Sequence, residues 1–401
     1  MRVAVIQIGI PLQSYTRDLV NGLSDAGVDV VVISSNSEDW GLIGLSTLKC
    51  DVKLVQLDAL RHLLYRRIRP KIASFCGFHL AASPRCIHEK VLDYLREIPP
   101  IDLVIGVEKE GLDVAARCAG VLNIPYVYYS LELYLEDHPN YKAFHWQRRS
   151  EVVNHQGAAA TIIQDKYRWG ALRTANGIND RQVFYLPVGI TPRPACDENP
   201  GVDPVCSFTD RKIMKLLYLG YLMPNRFLEA LAQHAEQFPS SIRVHLHGPT
   251  VNRKLEDWAR DRAQCLTLKI TTDLLQEHDM ANFVRGFDIG LALYLTTNVN
   301  DRTTAFSSQK IALYLSESKP IITFRSESYE ALFAKYVCGV MIDSLDELQQ
   351  AVEKIMSNYS MYASEAKRAF AEVYNLNNYW TSLVEFLSAI VVRDRVRINS
   401  V

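Results

Sequence analysis

Short apolar runs alternate with amphipathic segments along almost the whole chain. The runs at residues 2–8 and 101–107 are nearly continuous. Between them, Tyr15, Leu19 and Leu23 recur every four residues. Continuous runs are typical of strands covered on both faces, and spacings of three to four residues are typical of helices with one buried face. The repeated strand–helix order therefore predicts an α/β protein with parallel, doubly wound sheets.

A proline-rich polar stretch at residues 190–210 interrupts this order. Such composition is typical of a linker, so we place the domain boundary there. Two Rossmann-like domains of similar size are expected to face each other across a cleft, where open α/β sheets bind ligands. The predicted parts are an N-terminal domain at 1–190, a linker at 191–212, a C-terminal domain at 213–374 and a C-terminal helix at 375–401 that crosses back to the first domain and ends in a frayed polar tail.

Composition narrows the classes of function. The 401 residues are 48% hydrophobic and 22% charged with a net charge of −1, which is ordinary for a globular protein and gives no bias toward nucleic acid. No run approaches the roughly 18 apolar residues of a membrane-spanning helix, and the first residues lack the features of a signal peptide. The eight cysteines show no metal-ligand spacing and favour a reducing compartment. We therefore expect a cytoplasmic protein without a metal site.

The segment 307–324 carries the clearest candidate chemistry. Ser307, Ser308, Gln309 and Lys310 precede about two turns of apolar helix pattern, and a Lys-Pro pair then leads into a strand. A helix N-terminus presents unpaired N–H groups and a partial positive charge. Hydroxyls and a lysine at that end predict a seat for a phosphate or diphosphate. The alternative is an ordinary helix-to-strand unit of an α/β protein.

Four segments, in order along the chain, resemble the nucleotide-sugar domain of glycosyltransferases of the GT-B architecture, and of family 4 in particular. They are residues 217–226, 244–249, 288–294 and 307–324. The resemblance implies donor binding by Gly220, Tyr221, Arg226, Gly248, Tyr294, Ser307, Ser308, Gln309 and Lys310. It also implies that Arg226 and Lys310 act in catalysis by stabilising the leaving diphosphate, so that neither a metal nor a cofactor is needed.

The chain departs from the family pattern at several positions. Tyr221 stands where the family has an arginine, and Arg226 stands where it has a lysine. The family's pair of glutamates seven residues apart is not matched, since the second of them falls on Leu313. Its acceptor-side histidine falls on Leu131. These departures leave open whether transfer would retain or invert the configuration of the sugar.

The acceptor side of the resemblance lies in the first domain. Residues 124–134 are similar to a family segment that ends in His-Glu-Leu-Tyr, and Glu132 is the retained glutamate. The resemblance implies that Glu132 binds an acceptor hydroxyl or acts as a base, although a solvated glutamate is the plain alternative. Glu108 is a second acceptor-binding candidate, since it follows another strand. Gly9 resembles the glycine of the family's first turn, which lets a substrate approach the backbone.

Residues 59–88 form a basic and apolar segment. The segment has six arginine and lysine residues and neither Asp nor Glu. Such a segment suits an anionic membrane surface or a lipid-linked acceptor, and related enzymes dock on the inner membrane face. The alternative is a solvated helix whose arginine stems cover the core.

Taken together, these patterns predict a glycosyltransferase, of hexosyltransferase type, that moves a sugar from a nucleotide-diphosphate sugar to a glycan, glycolipid or other acceptor. It would be cytoplasmic, and peripheral at the inner membrane face if the basic segment binds lipid. A GT-B-shaped protein that binds a nucleotide sugar or glycan without catalysis would also lack the expected glutamates and histidine. A sugar-nucleotide epimerase is a third class with the same architecture.

Overall fold

The computed structural model describes residues 1–8, 14–34, 48–55, 85–139, 141–179, 181–192, 213–222, 228–250, 257, 261 and 265–399. The chain divides into two compact units. Unit 1 comprises Met1–Pro187 together with Leu376–Val401, and unit 2 comprises Val188–Asn375. The predicted linker lies outside the described residues from position 193 onward.

Unit 1 contains a seven-stranded parallel sheet. In chain order its elements are β1 (Arg2–Gln7), α1 (Ser14–Asp25), β2 (Asp29–Ser34), β3 (Asp51–Leu54), α2 (Arg85–Glu97), β4 (Leu103–Val107), α3 (Glu108–Leu122), β5 (Tyr126–Tyr129), α4 (Tyr141–Gly157), β6 (Ala160–Ile163), α5 (Lys166–Asn176) and β7 (Gln182–Tyr185). The strand order is β3-β2-β1-β4-β5-β6-β7, and every paired neighbour is parallel. The central strands β1 and β4 are buried because helices cover both faces of such a sheet.

Unit 2 contains a six-stranded parallel sheet in the order β10-β9-β8-β11-β12-β13. Its elements are β8 (Met214–Leu219), α6 (Leu228–Glu236), β9 (Ile242–His247), β10 (Leu268–Thr271), α7 (Glu277–Arg285), β11 (Ile289–Leu291), α8 (Val299–Arg302), α9 (Gln309–Ser316), β12 (Ile321–Phe324), α10 (Glu327–Lys335), β13 (Gly339–Ile342), α11 (Leu348–Met356) and α12 (Tyr359–Ala369). One π-helical turn at Phe370–Tyr374 follows. The predicted parallel α/β fold is thus confirmed in both halves of the chain.

Each sheet reverses its strand order at one place. The reversal lies between β1 and β4 in unit 1 and between β8 and β11 in unit 2. In open α/β sheets, ligands bind beyond the carboxyl ends of the strands at such a reversal. Residues that follow β4, β8 and β11 are therefore the first candidates for a site.

The C-terminal helix, α13 (Trp380–Asn399), belongs to unit 1. The absence of a side chain at Gly22 makes room for the Trp380 ring, which a Cβ at that position would overlap. Farther along the helix, Arg395 pairs with Asp102. The sequence predicted a frayed polar tail at the end of the chain, and this prediction is wrong through Asn399, because contacts with the rest of unit 1 continue the helix.

Two further local features differ from the sequence analysis. Helix α2 was not predicted, although Ile87, Val91 and Leu95 are spaced by four and buried. Segment 188–190 hydrogen-bonds within unit 2, since the Val188 N–H donates to the Phe306 carbonyl at 2.9 Å.

Among the described helices, none has the length and apolarity needed to cross a bilayer.

Candidate functional site

Lys310 lies in the first turn of α9 and reaches the carboxyl end of β8. Its Nζ is 4.6 Å from the ring centroid of Tyr218 and 4.7 Å from that of Tyr294. Tyr218 belongs to β8, and Tyr294 follows β11. The lysine therefore lies where the strand order of unit 2 reverses, the place where open α/β sheets bind ligands.

Two glycines keep the strand ends beside Lys310 clear of side chains. Gly220 follows β8 with φ +143°, and Gly248 follows β9 with φ +149°, conformations that L side chains rarely adopt. A Cβ at Gly220 would lie 3.1 Å from the Lys310 Nζ, and a Cβ at Gly248 would overlap the Gly220 carbonyl. The Gly220 N–H donates to the His247 carbonyl at 3.0 Å. The missing side chain at Gly220 thus leaves room for the Lys310 ammonium group, and the one at Gly248 lets the ends of β8 and β9 pack closely.

The serines at the start of α9 are oriented by their neighbours. Ser308 is the N-cap residue, but its hydroxyl makes no cap bond and lies 2.6 Å from the Tyr294 hydroxyl. The Ser307 hydroxyl donates to the Thr303 carbonyl at 3.1 Å. Gln309 is exposed. Ser308 therefore links the start of α9 to the segment that follows β11.

Tyr314 fixes α9 to β8. Its hydroxyl accepts from the Leu219 N–H at 2.9 Å and donates to the Leu217 carbonyl at 3.0 Å. A Cβ at Gly290 would overlap the Tyr314 ring, so the glycine is what lets the ring pack there. Burial raises the pKa of Tyr314 well above its ordinary value. The phenol therefore stays neutral and holds the helix that carries Lys310 against the strand that carries Tyr218.

The two histidines at the end of β9 add no positive charge at pH 7. The Thr271 hydroxyl lies 2.7 Å from His245 Nε2 and 2.5 Å from His247 Nδ1. Burial, and secondarily Lys269, lowers the pKa of His245 to about 4, and burial also lowers the pKa of His247. Among the described residues that meet at the switch point of unit 2, Lys310 therefore supplies the cationic side chain.

The structure brings together most of the predicted donor residues. Gly220, Gly248, Tyr294, Ser308 and Lys310 meet at the ends of β8, β9 and β11. Tyr221 follows Gly220 and is 57% exposed. Arg226 lies outside the described residues. Sequence reasoning missed Tyr218, because an aromatic residue inside a strand pattern is indistinguishable from an ordinary core residue.

In unit 1, Glu108 and Lys109 begin α3 directly after β4. Glu108 has φ +57°, and its Oε1 accepts from the N–H groups of Leu131 at 2.7 Å and Glu132 at 2.8 Å. Lys109 Nζ donates to Glu108 Oε2 at 3.1 Å and to the Glu132 carbonyl at 2.6 Å. Both oxygens of the Glu108 carboxylate are thus engaged by the protein. The pair holds the backbone of the segment after β5, whereas the Glu132 side chain is exposed.

Buried charges surround this pair. Glu151 accepts from the Tyr128 hydroxyl at 2.7 Å and from Arg148 at 2.9 Å. Burial by itself lowers the pKa of Lys109, but Glu108 and Glu151 outweigh it, so the pKa lies above its ordinary value. Burial likewise raises the pKa of Glu151, but Lys109 and Arg148 outweigh it and lower the pKa. Lys109 and Glu151 are therefore both charged at neutral pH, and each pairs with a side chain of the same unit.

Two of the remaining predicted regions lie outside the described residues. They are Gly9 and the basic segment at positions 59–84 together with the side chain of Arg85. Among the residues that the structure describes, no group of three or more His, Cys, Asp or Glu side chains is placed to hold a metal ion.

Comparison with known proteins is consistent with this geometry. Residues 232–383 match the family described as "Glucosyltransferase 3-like, C-terminal domain". Comparison with curated proteins finds no match for the sequence. The family match spans Gly248, Tyr294 and Lys310, which are three of the residues that meet at the switch point of unit 2.

Solved structures resemble the chain over nearly its full length. HepE of Anabaena in complex with UDP-glucose has a TM-score of 0.68 at 13% identity, covering 97% of this chain and 100% of that one. Sucrose-phosphate synthase of Thermosynechococcus elongatus has a TM-score of 0.69 at 13% identity, covering 97% and 99%. WaaG, a glycosyltransferase involved in lipopolysaccharide biosynthesis, has a TM-score of 0.58 at 14% identity, covering 94% and 97%. Two parallel α/β units with these likenesses show that the chain has the GT-B glycosyltransferase fold.

Proposed function

We propose that the protein is a glycosyltransferase that uses a nucleoside-diphosphate sugar as donor. The observation that carries the proposal is the position of Lys310, at the first turn of α9 and beside Gly220 at the strand reversal of unit 2. A helix start with a lysine in its first turn, beside a backbone without side chains, suits a diphosphate group. The structural likeness to HepE with UDP-glucose and the Glucosyltransferase 3-like match support a hexose donor.

Unit 2 would bind the donor and stabilise the leaving diphosphate. Lys310 would pair with the phosphate oxygens, and the N-terminal end of α9 would add its partial positive charge. Gly220 and Gly248 would let the diphosphate approach the backbone. Ser307, Ser308, Gln309, Tyr221 and Tyr294 would complete the donor contacts, together with Arg226. On this account the chemistry needs neither a metal nor a cofactor, because protein charges replace the metal.

Unit 1 would act on the acceptor. Glu132 has an exposed carboxylate on a backbone held by Glu108 and Lys109, so it is the candidate for binding an acceptor hydroxyl or its proton. The acceptor-binding role of Glu108 stays a prediction. Since its oxygens accept from Leu131, Glu132 and Lys109, we expect it to contribute through the position of this loop. Gly9 stays a sequence prediction.

The assignment to family 4 rests on the order of the four motif segments and is part of the proposal. We also propose that the protein is cytoplasmic and binds the inner membrane face through residues 59–88. Its acceptor would be a glycan or a lipid-linked molecule. Cosedimentation with anionic and neutral vesicles tests the membrane contact. We expect binding to anionic vesicles that is lost as salt rises and is weakened when Arg66, Arg67 and Arg69 are replaced by Gln. Equal recovery with both vesicle types would reject it.

A thermal-shift panel of UDP-, GDP-, ADP- and dTDP-sugars tests the donor. A donor at a hundred times its Kd should stabilise the protein by about 2.7 kcal/mol. Incubation of the stabilising donor, carrying a labelled sugar, with candidate acceptors then separates the classes. Transfer of label supports the glycosyltransferase, isomerised donor would indicate an epimerase, and binding without product would indicate a non-catalytic protein. If no nucleotide sugar or nucleoside diphosphate stabilises the protein, the proposed function is rejected.

A further inference from the structure

Two tyrosine rings lie against the Lys310 ammonium group, and each ring is fixed by its surroundings. Tyr218 is 1% exposed in the core of unit 2, and it lies opposite Leu246 where β8 pairs with β9. Tyr294 is tied through its hydroxyl to Ser308, two residues before the lysine. The distances of 4.6 and 4.7 Å from Nζ to the ring centroids are within the range of a cation–π contact.

A lysine side chain loses conformational freedom when it binds a phosphate group. Its ammonium group sits on a flexible four-carbon stem, and ordering that stem when the donor binds costs free energy. Here Nζ lies beside Gly220, at the end of β8, and within 4.7 Å of both ring centroids. The charge is therefore placed at the end of β8, beside a residue without a side chain.

We propose that Tyr218 and Tyr294 are positioning residues, which hold the Lys310 ammonium group in its diphosphate-binding position. This inference rests on the proposed function. Tyr218 acts through the lysine rather than by touching the donor, so its effect depends on Lys310 and on the phosphate groups of the ligand. The ring face is the active part of Tyr218, whereas Tyr294 contributes both its ring and the hydroxyl that meets Ser308.

The test compares the affinity for a nucleoside diphosphate with the affinity for the matching nucleoside. UDP and uridine are the first pair, and they are replaced by the pair with another base if the thermal-shift panel selects one. Tyr218→Leu should weaken diphosphate binding roughly three- to thirtyfold and leave nucleoside binding unchanged. Tyr218→Phe keeps the ring and should restore near-normal affinity. In a Lys310→Ala background, Tyr218→Leu should have little further effect, because the charge it positions is gone.

Tyr336 offers a matched control in the same unit. It is also a buried tyrosine, with Lys335 Nζ and the Arg368 guanidinium each 4.8 Å from its ring centroid. It precedes the edge strand β13, however, and not a strand at the reversal between β8 and β11. Tyr336→Leu should lower stability without changing diphosphate affinity. The inference is overturned if Tyr218→Leu weakens nucleoside and diphosphate equally, or is as harmful without Lys310 as with it. Failure of wild type to bind any nucleoside diphosphate would reject the proposed function instead.

Discussion

At the scale of single residues, replacing Lys310 should have the largest effect on the affinity for the donor. Lys310→Ala removes charge-assisted hydrogen bonds to phosphate, each worth about 1.5–3 kcal/mol. We expect nucleoside-diphosphate affinity, measured by calorimetry, to fall roughly ten- to a hundredfold while the fold stays intact. Lys335→Ala is the matched control, because Lys335 is an exposed lysine of unit 2 that pairs with Glu372 at 3.3 Å. Equal affinity of Lys310→Ala and wild type would place the diphosphate elsewhere.

Glu132 is the corresponding residue on the acceptor side. Glu132→Gln keeps the shape of the side chain and removes its charge. Since the backbone contacts to Glu108 and Lys109 do not involve this side chain, the loop should stay in place. Turnover should fall by roughly a hundredfold or more if Glu132 is a base, while donor affinity stays near that of wild type.

Glu136 provides the control for this change, because it is another exposed glutamate in the same segment. Glu136→Gln should leave both turnover and donor affinity unchanged. Normal turnover in Glu132→Gln would make Glu132 a solvated surface residue, which is the plain alternative that the sequence left open.

At the scale of elements, the start of α3 fixes the loop that follows β5. Glu108→Gln would remove the partner of Lys109, whose side chain is 1% exposed, and weaken the acceptor of two loop N–H groups. Removing one partner of a buried ion pair costs about 3–5 kcal/mol. We expect urea unfolding to show a loss of that size, and amide exchange at residues 131–135 to speed up.

Glu89→Gln is the control, because Glu89 is an exposed carboxylate on α2. Its free energy of unfolding should stay within about 0.5 kcal/mol of that of wild type. If Glu108→Gln were as stable as Glu89→Gln, the carboxylate would not be holding the loop, and a direct acceptor role for Glu108 would regain weight.

At the scale of the whole molecule, acid should destabilise the fold through a buried histidine. Asn176 lies 2.7 Å from His155 Nδ1, and the Thr161 hydroxyl lies 2.7 Å from His155 Nε2. Burial lowers the pKa of His155 from 6.5 to about 4, with Arg181 and Arg148 adding to the shift and Glu151 opposing it. The folded state therefore favours the neutral ring, and the unfolded state binds the proton more readily.

Because the unfolded state binds the proton more readily, the free energy of unfolding should fall as the pH falls. The contribution of His155 is complete above about pH 6.5 and is lost as the pH falls toward 4, where the unfolded chain gains a proton that the fold excludes. We expect the free energy of unfolding to drop by about 2 kcal/mol from this group between pH 7 and 4.5. In His155→Gln, which is less stable at pH 7, the slope should be shallower, whereas the exposed His278→Gln should keep the wild-type slope. An unchanged slope in His155→Gln would assign acid sensitivity to other groups.

Much of the fold and part of the site followed from the sequence alone. The alternation of apolar runs and helical spacings determined two parallel α/β sheets, because burial on one or both faces imposes its period on the residues themselves. Ser308, Gln309 and Lys310 could be recognised at a helix start, since the polar residues directly precede an apolar pattern of helical period.

Only the tertiary structure decided which distant residues meet. Tyr218 and Lys310 are 92 positions apart, and their contact depends on β8 lying next to β11 in the sheet. Glu108 looked like a free carboxylate at a strand end, but β5 pairs with β4 and brings the N–H groups of the following loop to it. The order of strands is a long-range property that no local pattern encodes, so the sequence determined where the candidate groups lie along the chain, and the topology decided which of them share a site.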